Sequence, residues 1–281
     1  MLVDAHFIKT ARDAFTPFST ESGTEHVALL LYSIVRMTRP TVCIEYGSGY
    51  STLFILAALA ENDADIRMER ELLRVKTSRL GDLGRFYPHA NNPVFRDWLD
   101  QGGLACGVDP EFFQHPRGAR LYSIEGHSSA HEYVTRMKRA VHQLGLDSFF
   151  SHVTGAPFST DTLPTEDQRI DLAWNDANNY QEFFETIWPR LNPNGGLLIF
   201  HNTMAVERHW SAVEWMRNNR KSQGDLEEVS FFENHKLNQN SCTIFRRVDK
   251  RHPALFDSRI SRVKQNLIRF MRMGDDIKPV S

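Results

Sequence analysis

The 281-residue chain is poor in cysteine, has no surplus of either charge and contains no long apolar run. Each shortage excludes a class of protein. Its three cysteines, Cys43, Cys106 and Cys242, lie far apart with no Cys-x-x-Cys pair, so reduced thiols in a cytoplasmic protein are expected rather than a disulfide framework. With 33 Lys and Arg against 35 Asp and Glu, the net charge is -2. No basic excess is left to neutralise phosphates, and nucleic acid is not an expected partner. The longest apolar stretch, Val27 to Val35, falls well short of the roughly 20 residues that span a bilayer, so no membrane partner is expected either. Asp4, His6 and Lys9 interrupt any apolar leader at the start, and secretion is not expected. No internal repeat or low-complexity tract is visible.

What remains is an ordinary globular composition, 41% hydrophobic and 24% charged, enough to bury a substantial core in one elaborated domain. Thr24 and Glu25 supply helix-start chemistry before Val27, Leu31, Ile34 and Val35, and Pro40 stops that helix. Thr16-Pro17-Phe18-Ser19 breaks any helix in residues 1–20. Seven strand-like runs follow, at about 42–45, 121–125, 149–154, 170–174, 197–200, 228–232 and 241–246. Helical spacing lies between them, at 51–62, up to 146, at 180–191 and at 206–219. Strands alternating with helices imply an α/β fold. The expected architecture is a doubly wound, mostly parallel, seven-stranded Rossmann-like sheet with helices on both faces and right-handed crossovers.

One segment resists this pattern. Residues 63–118 carry many arginines and are punctuated by Pro88, Pro93, Gly102, Gly103 and Pro110. They read as an insertion after the first β-α unit, with a helix near 66–80, and as either a solvated elaboration or a lid or substrate pocket that covers the site. The expected divisions are an N-terminal helical segment (1–40), a main domain (41–250) and a basic C-terminal helix or tail (251–281). The charged face of 258–273 is either solvated or an oligomer contact, such as that of a homodimer.

The chemistry concentrates at Glu45-Tyr46-Gly47-Ser48-Gly49-Tyr50-Ser51, which reads as strand end, tight turn and helix start. Glycine at such a turn can take positive φ and approach a ligand closely, while the helix start offers N–H groups and the positive end of its dipole. The third glycine of a dinucleotide fingerprint is absent, since Leu53 follows Ser51 and Thr52. In doubly wound sheets ligands bind at the carboxyl ends of the strands. Glu45, Glu125, Asp176, His201 and Asn202 all fall there.

Three ordered pieces, Glu45 to Ser51, Leu121-Tyr122-Ser123-Ile124-Glu125, and Ile170 to Asn202 with Pro193-Asn194-Gly195-Gly196 inside, resemble a class I S-adenosylmethionine-dependent methyltransferase. The nearest type is the small-molecule O-methyltransferase family of catechol and caffeoyl-type enzymes and their bacterial relatives. The resemblance covers roughly residues 20–250. It implies S-adenosylmethionine as cofactor, with Gly47 and Gly49 against its methionine part, Glu45 at its amino group and Ser51 near its carboxylate. Glu125 would hold the ribose hydroxyls, Gly126 and His127 would flank ribose and adenine, and Gly155 and Ala156 would line the adenine edge. Asp176, at the end of the fourth strand, belongs to the same cofactor-facing set. The implied activity is methyl transfer to a hydroxyl, or secondarily an amine, of a small-molecule acceptor.

This chain departs from that family at three places. Glu45 and Glu125 are 80 positions apart, where a plain βαβ unit has about 20. Asn178 and Asn179 stand where metal-dependent members usually place a lysine, and His201-Asn202 replaces their Asp-Asn. Asp176, His201 and Asn202 are therefore expected to converge either as a divalent-metal site or as a metal-free acid–base site. Imidazole at 201 would shift the preference from magnesium or calcium toward zinc, iron, manganese or nickel. Without a metal, His201 or His209 would serve as the base. Two other readings stay open. One is a catalytically silent fold used as a binding or regulatory subunit. The other is a methyltransferase acting on a macromolecule, although Asn175-Asp176-Ala177-Asn178 lacks the Asn/Asp-Pro-Pro-aromatic clamp for an exocyclic amine.

Overall fold

A computed structural model describes residues 3–15, 23–83, 118–126, 131–155, 169–236 and 238–248, with only the backbone course of 72–83. The chain divides into two units, Met1–Asp63 with Arg117–Asp249, and Ala64–Pro116 with Lys250–Ser281. The first holds a single seven-stranded sheet. Its strands are β1 (Val42–Tyr46), β2 (Arg120–Glu125), β3 (Phe150–Thr154), β4 (Leu172–Asn175), β5 (Asn194–His201), β6 (Leu226–Phe232) and β7 (Ser241–Val248). They lie in the order β3-β2-β1-β4-β5-β7-β6. The first five are mutually parallel, and β7 runs antiparallel to both β5 and β6.

Each central strand is buried on both faces, so successive residues feed opposite cores. Cys43, Trp174, Ile199 and Ile244 join one apolar cluster, whereas Ile44, Ala173, Phe200 and Phe245 join the other. On the first face pack α1 (Ala5–Ala14), α2 (Glu25–Thr38), the start of α3 (Tyr50–Leu83) and α4 (Glu132–Gln143); on the second pack α5 (Tyr180–Ile187) and α6 (Glu207–Arg220). From Leu53 to Leu59 every side chain of α3 is buried, as its apolar composition on all faces requires.

Three local expectations are corrected. Residues 1–20 do contain a helix, because Asp4 caps α1 by accepting from the Phe7 N–H at 2.8 Å and Phe7, Thr10 and Ala11 bury one face. The two helices expected at 51–62 and 66–80 are one, of 34 residues. Asn62-Asp63-Ala64-Asp65 is polar but holds no proline or glycine to break the ladder. Conversely the helix expected to reach 191 ends at Ile187, and Pro189 sits in a 3₁₀ turn, Trp188–Arg190. Most of the insertion and all of 258–273 lie outside the described residues, and the expected lid and tail helix with them. Among the described residues no helix is long and apolar enough to cross a membrane.

The topology fixes where a ligand can sit. Strand order reverses between β1 and β4, and at such a switch point the loops after the two strands diverge to opposite faces and leave a crevice. The carboxyl ends of β1 and β4 carry Gly47 and Asp176. At the opposite end Asp171 acts as a staple, its Oδ2 accepting from Thr41 N–H (2.8 Å), Thr41 Oγ1 (2.7 Å) and Val42 N–H (3.2 Å), its Oδ1 from Asn192 Nδ2 (3.0 Å).

Candidate active site

The turn after β1 is built around a buried acid. Glu45 has no exposed surface, and a carboxylate so placed must find donors inside the protein. Ser51 Oγ donates to Oε1 at 3.0 Å, while Thr52 Oγ1 and Ser123 Oγ donate to Oε2 at 2.6 and 3.1 Å. Burial nevertheless outweighs these bonds and pushes the Glu45 carboxyl up to about 8. The geometry thus makes Glu45 and Ser51 braces of the turn. Neither side chain reaches the surface.

Gly47 takes φ +89°, a conformation that side chains resist. A Cβ there would lie 3.2 Å from the Asp176 carbonyl oxygen, so the close pairing of the β1 and β4 loops depends on its absence. A Cβ on Gly49 would come within 2.9 Å of the Tyr133 hydroxyl, which itself donates to the Ser48 carbonyl. The N–H groups expected to face a ligand are partly committed. Gly47 donates to Ile124 O (3.3 Å), Ser48 to Glu125 Oε1 (2.7 Å) and Gly49 to Thr52 Oγ1 (2.7 Å).

Glu125, at the end of β2, is 8% exposed and is held against the glycine turn by that Ser48 bond. Among the described residues the space next to it is open, since a Cβ added to Gly126 would meet none of their atoms within 4 Å. Gly155 donates to the Glu125 carbonyl at 3.2 Å, which draws the end of β3 to the same place. His127 and Ala156 lie outside the described residues.

The β4–β5 pairing sets Asn175 opposite Phe200, and so brings Asp176 beside His201. Asp176 Oδ1 and His201 Nδ1 are 2.6 Å apart, with 23% of the aspartate side chain exposed but only 1% of the histidine. An ionised carboxylate only accepts, so Nδ1 is the donor and, in a neutral ring, Nε2 keeps the lone pair. The Tyr180 hydroxyl donates to the His201 carbonyl from the side. Asn202 has φ +54°, donates its N–H to Ser241 O at 2.6 Å and accepts at its own carbonyl from His209 Nδ1 at 2.9 Å. Three buried polar atoms here, Asn175 Nδ2, His201 Nε2 and Asn202 Oδ1, have no partner among the described residues. Buried groups of this kind normally pair with water or a ligand.

An ion shared through Asp176 Oδ1 and His201 Nδ1 does not fit this arrangement. Two atoms bound to one metal at about 2.1 Å stand roughly 3 Å or more apart, whereas 2.6 Å between Oδ1 and Nδ1 is a hydrogen bond. His209 is also spoken for. Its Nδ1 serves Asn202, its Nε2 accepts from Arg208 Nε at 3.3 Å, and its ring stacks on Tyr180 at 4.4 Å. Burial lowers its pKa, which keeps the ring neutral. His209 lines a separate open cleft of about 410 Å³ with Asn178, Asn179, Tyr180 and Arg208. The hydrogen bonds that Ser123, Tyr133 and Tyr180 make here are not legible in the sequence, where these residues read only as strand or helix positions.

A family model described as a methyltransferase domain matches residues 44–203, more than half of the chain. No curated protein matches in sequence. Among solved structures, the O-methyltransferase TomG from Streptomyces achromogenes, in complex with S-adenosylmethionine, is similar at TM-score 0.53 and 15% identity, over 88% of this chain and 91% of that one. The O-methyltransferase from Bacillus cereus, in complex with S-adenosylhomocysteine, is similar at TM-score 0.53 and 11% identity, over the same shares, 88% and 91%. At these identities the likeness speaks for the fold.

Proposed function

The chain belongs to the methyltransferase-domain family, and on that premise we propose that it methylates a hydroxyl of a small molecule with S-adenosylmethionine as donor. Bound, that cofactor supplies a methyl group on a positively charged sulfur, already electrophilic. What the protein must add is position and a partner for the acceptor proton. The glycine turn 47–49 and the open space at Gly126 suit a cofactor lying across the carboxyl ends of β1 and β2. There Glu125 would accept from ribose hydroxyls while keeping its Ser48 bond. Glu45, Ser51 and Thr52 hold the turn in shape from below.

The observation that carries the reading is the Asp176–His201 pair beside Gly47, surrounded by buried polar atoms in search of partners. Asp176 is the member that reaches the surface, so it is assigned to the acceptor hydroxyl. His201, almost wholly buried, acts through it as a positioning residue. The choice of oxygen is supported by the two solved neighbours, both O-methyltransferases. A cytoplasmic setting belongs to the same reading, in keeping with the free thiols of Cys43 and Cys242.

The test is cofactor binding by calorimetry combined with turnover against a panel of hydroxylated acceptors. Asp176→Asn should bind cofactor normally and lose turnover, whereas His201→Asn should lower kcat and shift the pH–rate profile without abolishing activity. Normal turnover in Asp176→Asn would refute the assignment.

A further inference from the structure

We propose that this chain carries a second, separate site, for one divalent transition-metal ion, formed by Glu25, His26, Glu233 and His235. These residues come from the first turn of α2 and from the turn joining β6 to β7, 208 positions apart in sequence. Their candidate ligand atoms all lie within 4.8 Å of one another. Four donors tetrahedrally placed around an ion at about 2.1 Å stand ~3.4 Å apart, so the group is gathered but slightly expanded.

Lys236 shows why the cluster is incomplete without a further cation. It is 5% exposed, and its ammonium group lies 3.2 Å from Glu25 Oε1, 2.9 Å from Glu233 Oε2 and 2.7 Å from the Gly23 carbonyl. Of these, the contact with the Gly23 carbonyl is a hydrogen bond, and those with the two carboxylates are ion pairs. Glu25 Oε2 and both Glu233 carboxylate oxygens are buried and have no hydrogen-bond partner among the described residues, and Glu25 as a whole is only 9% exposed. Two carboxylates against one lysine leave a net charge of about -1, with two imidazoles alongside. His235 Nε2 stands 3.8 Å from Glu233 Oε2, and the His26 and His235 rings meet edge to face at 4.8 Å.

Unpaired buried carboxylate oxygens are costly, and a divalent cation held by those oxygens and the two exposed histidines answers both the charge and the missing partners. Two nitrogens with two oxygens favour zinc and its first-row neighbours over magnesium or calcium, which take oxygen ligands. Four protein ligands close a tetrahedral shell, the pattern of a structural rather than a catalytic ion. Its effect is to clamp the start of α2 to the β6–β7 turn. Lys236, already bridging the two acids, holds them in place for it.

The experiment uses the full, untagged chain, stripped with chelator and then titrated with zinc chloride by calorimetry at pH 8, with cobalt absorption spectra as a second readout. The expected result is one zinc per chain, a tetrahedral cobalt spectrum and a rise in melting temperature with zinc. All three should be lost in the His26→Ala/His235→Ala double variant and in Glu233→Gln, and kept in His201→Asn. The two histidines are exposed, so circular dichroism should show the double variant folded. No zinc uptake by the parent chain overturns the proposal, as would result if an imidazolium completes the cluster instead. Unchanged uptake in the double histidine variant, or loss confined to His201→Asn, overturns it as well.

Discussion

Glu45 offers a test of the site's electrostatics that needs no substrate. Its carboxyl is raised from 4.5 to about 8 by complete burial, against the pull of three hydroxyl donors. In the unfolded chain the same group ionises near 4.5, so between that pH and about 8 the folded state holds a proton that the unfolded state has released. Stability must then fall as pH rises through this window, and level off above the folded value. One pH unit is worth about 1.4 kcal/mol, so the window amounts to something on the order of 5 kcal/mol. Set against the 5–15 kcal/mol typical of a folded protein, that is a large share. Glu45→Gln removes the titration but keeps the shape and one acceptor oxygen. Urea unfolding of both proteins at pH 5, 6, 7 and 8 gives a difference in which other titrating groups cancel. The parent should lose ground to the variant by about 1 kcal/mol per pH unit, most steeply between pH 5 and 7. Parallel profiles would mean that Glu45 is ionised in the fold at neutral pH. The three hydroxyls would then outweigh burial, and the reasoning would be wrong.

Gly126→Val fills space that no described atom occupies within 4 Å of the added Cβ, so its melting temperature should stay within about a degree of the parent, a surface change of roughly 0.5 kcal/mol or less. Its affinity for S-adenosylmethionine, measured by calorimetry, should fall by about a decade or more, and an unchanged affinity would move the ribose elsewhere. Glu125→Ala strands the Ser48 N–H in a buried turn, costing about 1–3 kcal/mol of stability in denaturant unfolding. It should also weaken cofactor binding by roughly one to two decades, as expected for a lost bond to a charged group worth about 1.5–3 kcal/mol. Glu125→Gln, which still accepts from Ser48, should restore most of the stability but not the affinity.

Much of this protein is legible along the chain. Alternation such as Cys43 and Ile44 places strands, because neighbouring side chains on a strand must face opposite ways. The run from Glu45 to Ser51 announces a turn, because glycines and a helix start leave the backbone few alternatives, and parallel strands send Glu125, Asp176 and His201 to one edge of the sheet. These are consequences of backbone geometry and short-range periodicity, which a few neighbouring residues decide. The tertiary structure decided what those residues do. Ser123 reaches Glu45 from 78 positions away, through a register that sets it directly across β1. His201 lies under Asp176 rather than in the open because Trp174 and the strands around it bury the ring. Glu25 and Glu233 share one lysine only because the β6–β7 turn folds back over the start of α2. Burial, the pairing of a charge and the reach of an ion depend on every atom within a few ångströms, and in a doubly wound sheet most of those atoms come from distant parts of the chain.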